Sequence, residues 1–68
     1  MAISARHQLT GRITDIQLDE VMALVSVRVG KNVIESVITR RSAEQLNLKK
    51  GDTVTAIIKS TGVMLMKD

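Results

Sequence analysis

Between Val21 and Val29 the chain alternates without a break: Val21, Ala23, Val25, Val27 and Val29 stand on one side, and Met22, Leu24, Ser26 and Arg28 on the other. Successive side chains of a strand point to opposite faces of its sheet, so this period of two specifies an extended strand with one buried face. Gly30-Lys31-Asn32 then reads as a hairpin turn, and residues 33–39 return as the next strand. That strand has Ile34 and Ile38 on one face and Val33 and Val37 on the other, which predicts cover on both sides. Upstream, residues 3–9 alternate, and Gly11 to Leu18 continue the pattern with a change of phase. The change predicts a bulge near Thr14-Asp15 within one long first strand, closed by a turn at Asp19-Glu20.

Beyond residue 39 the grammar changes. Ser42-Ala43-Glu44-Gln45-Leu46 has a serine three residues before a glutamine, the spacing of a capping box, and Ala43 with Leu46 makes a short stripe at helical spacing. These features predict a helix of one or two turns with Ser42 as its cap. Lys49-Lys50-Gly51-Asp52 forms a turn, residues 53–60 a fourth strand, Thr61-Gly62 another turn, and Val63 to Met66 a fifth strand. The expectation is an all-β fold: a five-stranded OB-like barrel with one short helix between the third and fourth strands. An SH3-like barrel has no natural place for that helix. Residues 1–68 read as a single domain, without repeats or linkers.

Size and composition narrow the function. A chain of 68 residues buries too little surface to be more than marginally stable alone, and with no cysteine and one histidine it has neither a disulfide nor a structural metal site. Self-association is the remaining common source of stability, so a homo-oligomer is expected. The apolar runs are far too short to span a bilayer and no apolar leader is seen, which predicts a cytoplasmic protein without a membrane partner. The net charge of +3 favours anions in general. The chain has no Phe, Tyr or Trp, whereas single-strand binders stack bases on aromatic rings for about 1–3 kcal/mol each, so a small nucleic-acid-binding barrel is the second reading.

Three donor-rich spots carry the first reading. On the N-terminal strand Ser4, Arg6 and Gln8 share one face, opposite Ile3, Ala5, His7 and Leu9; Thr39 and Ser42 flank the start of the helix; and Lys59-Ser60-Thr61 closes the fourth strand. A tetrahedral oxyanion presents only acceptors, so hydroxyls with one or two cations suit it. Arg6 can grip two oxygens with its planar fork while Lys59 acts as a point charge. The seven acids fall mostly at turns or on the helix, none pairs for acid and base roles, and His7 has no nucleophile beside it. No catalytic residue and no cofactor are expected, and the protein reads as a binder rather than an enzyme.

Ser4-Ala5-Arg6-His7-Gln8-Leu9, Gly11, the Val37-Ile38-Thr39 stretch leading to Ser42-Ala43-Glu44-Gln45-Leu46, and Ile57-Ile58-Lys59-Ser60-Thr61-Gly62-Val63-Met64 resemble the molbindins, small molybdate-binding proteins built from one Mop domain. The likeness runs over essentially the whole chain. It implies molybdate or tungstate as ligand, held as the oxyanion and with no directly ligated metal, for intracellular storage or homeostasis. It also implies a hexamer, a trimer of dimers, with pockets at subunit interfaces formed by Ser4, Arg6, Thr39, Ser42, Lys59 and Ser60. His7 stands where the family pattern has Asn, so His7 and Gln8 are assigned to assembly-axis or additional anion contacts.

Overall fold

The structure, a computed structural model, describes residues 7–67. Four strands and a short helix follow in order: β1 (His7–Leu18), β2 (Met22–Val29), β3 (Asn32–Thr39), α1 (Arg40–Gln45) and β4 (Thr53–Ile58), after which Ser60–Gly62 forms a 3-10 turn. The strands make one antiparallel sheet in the order β3-β2-β1-β4. The bulge falls where the phase change placed it, with the β1–β2 register shifting between Ile13 and Asp15. The β2–β3 connection is a two-residue loop, since Val29 pairs with Asn32. Gly30 takes its first central position at φ 61°, as a type II′ hairpin requires.

Alternation delivers the core. Ile13, Val25 and Val27 are buried together, with Ile16, Val29, Ile38, Leu48 and Val54 packed around them. Gly11 lets β1 pass tightly over β2: a Cβ there would meet the Arg28 carbonyl oxygen and come within 2.8 Å of Val29 and 2.9 Å of Val27. Gly11→Ala should therefore destabilise the fold by about 1–3 kcal/mol, the cost of overpacking, seen as a lower urea midpoint. An unchanged midpoint would show that the close approach relaxes freely.

The structure corrects four local expectations. The helix begins at Arg40, so its cap is Thr39 and not Ser42. Leu46 is 67% exposed, because the helix ends at Gln45 and Asn47 adopts φ 52°, which turns the chain so that Leu48 packs on the core instead. Val33 and Val37 are uncovered, at 59% and 64% exposure, since within one chain nothing lies over the outer face of β3. The segment expected as a fifth strand, Val63 to Met66, carries no strand pairing among the described residues, and Met64, Leu65 and Met66 are almost wholly exposed. The sheet is OB-like in order and antiparallel sense, with β3 and β4 as its edges.

β1 is shared by two ladders: residues His7 to Arg12 pair with β4, and Arg12 to Leu18 pair with β2. Its N-terminal half and β4 thus run past the end of β2 as a two-stranded ribbon, with Thr10 and Thr55 hydroxyls 3.2 Å apart on its outer side.

Candidate functional site

Thr39 ends β3 in extended conformation (φ −71°, ψ 147°), which aims its hydroxyl back over the first turn of α1. The Ser42 backbone N–H donates to Thr39 Oγ1 at 3.1 Å, and the Thr39 hydroxyl donates to Ser42 Oγ at 2.7 Å. Thr39 is thereby spent as a cap. Ser42 Oγ, having accepted that bond, keeps its own proton to offer outward. The spacing Thr39-x-x-Ser42 carried this signal in the sequence, where Ser42 with Gln45 was the more obvious pattern. Beside the pair, the Arg40 guanidinium donates to the Asp19 carbonyl at 3.2 Å and meets Glu44 at 3.6 Å, so its charge is already engaged.

The second donor set lies at the tip of the ribbon. Lys59 and Ser60 follow directly on β4, in a turn closed by Gly62 N–H on the Lys59 carbonyl at 2.9 Å. Both side chains are exposed and make no hydrogen bond among the described residues. The ladder brings His7 and Gln8 alongside, paired with Ile58 and Ile57. Ser4 and Arg6 lie outside the described residues.

The two sets do not meet within one chain. Thr39 pairs with Met22, beside the Leu18 end of β1, whereas Lys59 follows Ile58 at the His7 end. β1 is 12 residues long, and at about 3.3 Å per residue its ends are separated by a path of roughly 36 Å before the bulge bends it. They also sit on opposite edge strands. Of the carboxylates, Asp19 accepts from Glu20 N–H at 2.8 Å, Asp52 from Lys49 N–H at 3.0 Å, and Glu44 meets Arg40, while Glu20 stands exposed in the turn before β2. Among the described residues no group of three or more His, Cys, Asp or Glu side chains is placed to hold a metal ion, and no helix is long and apolar enough to cross a membrane.

Residues 3–65 match the family model of the TOBE domain. The chain belongs to the TOBE family. Molybdenum-pterin-binding protein 1 of Clostridium pasteurianum is 42% identical over 67 residues, a match covering 97% of this TOBE chain and 98% of the relative. A solved molybdate-binding protein from Sporomusa ovata superposes with a TM-score of 0.95 at 33% identity, covering 98% of this chain and all of that one. The cytoplasmic molybdate-binding protein ModG, solved with molybdate bound, superposes at a TM-score of 0.83 and 33% identity over 88% of this chain and 43% of its own. The resemblance to the molbindins is thus matched by relatives over nearly the full TOBE chain.

Proposed function

We propose that the protein binds molybdate or tungstate as the bare oxyanion, in pockets completed between copies of the chain, and serves to store or buffer the anion in the cytoplasm. The observation that carries this reading is the separation of two donor sets to opposite ends of β1, each too small to enclose a tetrahedral anion, in a chain whose relatives are named for molybdenum or molybdate binding. In the pocket, Ser42 and Ser60 donate hydroxyl protons, Lys59 and Arg6 supply positive charge, Ser4 adds a further hydroxyl, and Thr39 orients Ser42. A hexamer arranged as a trimer of dimers accommodates such pockets, and it would cover the open edges of β3 and β4, the outer sides of Val33 and Val37, and the apolar run from Val63 to Met66. The relatives' names include a pterin. This chain has no Phe, Tyr or Trp ring on which a pterin could stack, which favours the anion alone. Binding needs no general acid or base.

Selectivity follows from the donor chemistry. Phosphate near neutral pH keeps a proton on much of its population and needs an acceptor for it; every proposed ligand group here donates. Sulfate is fully ionised but smaller, and each buried hydrogen bond left unmade costs about 1–3 kcal/mol. Calorimetry should give similar affinities for molybdate and tungstate, weaker binding of sulfate, weakest binding of phosphate, and no heat with a short oligonucleotide. Phosphate displacing molybdate at comparable concentration, or an oligonucleotide binding more tightly than either metal oxyanion, would overturn the reading.

A further inference from the structure

The chain carries two basic pairs, Arg40-Arg41 and Lys49-Lys50, and the first stands between the two hydroxyl residues of the helix-side donor set, Thr39 and Ser42. The structure treats its members differently. Arg40 is half-buried, and its guanidinium donates to the Asp19 carbonyl and meets the Glu44 carboxylate. Arg41 is exposed and makes neither a side-chain hydrogen bond nor an ion pair among the described residues. Glu44 is three residues on from Arg41 and within helical reach of it, but its carboxylate lies on Arg40 at 3.6 Å.

Helix geometry sets where Arg41 stands. At about 3.6 residues per turn, successive side chains are about 100° apart. Ala43 is the residue of α1 buried against the core, so Ser42 lies on the flank of the helix and Arg41 one step further round, toward solvent. Its long stem can carry the guanidinium over an anion held at the Ser42 hydroxyl while the charge stays hydrated. Charge makes that position matter. The Arg40 N–H bond to the Val21 carbonyl holds the turn with Asp19 and Glu20 beside the start of α1, so Asp19, Glu20 and Glu44 gather here against Arg40 and Arg41. Glu20 is exposed. Lys49 and Lys50 lie past the helix, in the turn whose Gly51 N–H donates to the Ile13 carbonyl, and Lys59 belongs to the other end of β1. With Arg40 committed, an incoming dianion would meet two hydroxyls in a field that repels it. Arg41 is the one uncommitted cation at this end among the described residues. We infer that Arg41 is an affinity-determining residue of the oxyanion pocket: its charge draws the dianion toward Ser42 and offsets Glu20. The inference rests on the pocket proposed above and adds to it a cation outside the set of Ser4, Arg6, Thr39, Ser42, Lys59 and Ser60.

Calorimetry with molybdate on the full chain, at low and at high salt, tests it. Arg41→Gln removes the charge and should weaken binding about three- to tenfold at low ionic strength, as expected for one unit charge acting on a dianion through solvent. The loss should shrink toward nothing near roughly 1 M salt, where screening acts within about 3 Å. Arg41→Lys should bind within about twofold of the parent, because a solvated cation acts here as a charge and not as a fork. Lys31→Gln, the same charge change in the hairpin at the far end of β3, should leave binding as it is. Circular dichroism and light scattering should match the parent in every variant. An Arg41→Gln protein that titrates like the parent would overturn the inference, as would a loss that Lys31→Gln reproduces. So would a loss that salt leaves intact, that Arg41→Lys does not recover, or that comes with a changed fold or mass, since each marks a structural role. In all these cases a parent that binds molybdate keeps the pocket reading; a parent that binds none removes both.

Discussion

Arg6→Ala should lower molybdate affinity by about 30- to 5,000-fold, the equivalent of the roughly 2–5 kcal/mol lost when one partner of a buried, charge-assisted contact is removed. The expectation comes from the sequence: Arg6 lies between Ser4 and Gln8 on the polar side of the N-terminal alternating segment. Its planar fork can bond two oxygens of the anion at once. Arg6→Lys keeps the charge but loses the fork and should recover only part of the affinity. Calorimetry on both variants, with circular dichroism to show that the fold survives, checks the assignment. An alanine variant that titrates like the parent would remove Arg6 from the pocket.

Ile13→Ala should bring the protein close to unfolding. Ile13 is 1% exposed and belongs, with Val25 and Val27, to the buried cluster at the centre of the sheet. Truncating a buried Ile to Ala costs about 2–5 kcal/mol once the cavity is included. A chain of 68 residues has a total stability of only about 3–10 kcal/mol at the usual value per residue. Urea titration followed by far-ultraviolet circular dichroism should show the midpoint falling by about a fifth or more. Ile57→Ala, on the exposed side of the ribbon, offers the contrast within the same strand system and should barely move it. Equal midpoints for the two variants would mean that the cluster around Ile13 is not the core.

Much of this architecture was legible in the residues because local rules settle it. The alternation from Val21 to Val29 specified β2 and its buried face, and Ala23, Val25 and Val27 are all buried. The phase change at Thr14-Asp15 located the bulge, since a strand with a period of two has no other way to keep Ile13 and Ile16 on the same side. The hairpin at Gly30 and the helix after β3 were likewise written in a turn residue and a change of period. So was the donor chemistry: side-chain type alone says that Ser42, Lys59 and Ser60 can donate.

Other features depended on where distant segments meet. Thr39 rather than Ser42 became the cap because the chain leaves β3 at Thr39, with the Arg40 N–H held by the Val21 carbonyl at 2.7 Å, a contact across the sheet that no local spacing records. Val33 and Val37 look like core residues in sequence but face outward, because cover for the second side of a strand must come from another part of the chain and none lies there. The Val63 to Met66 segment has strand-like composition without strand pairing among the described residues, since composition does not say which edge a segment meets. Most consequentially, only the order β3-β2-β1-β4 placed Thr39 and Ser42 at one end of β1 and Lys59 and Ser60 at the other. The sequence alone determined which groups can hold an oxyanion, because that is a property of side chains; the tertiary structure decided that one chain does not gather them, because distance along a shared strand is set by pairing register.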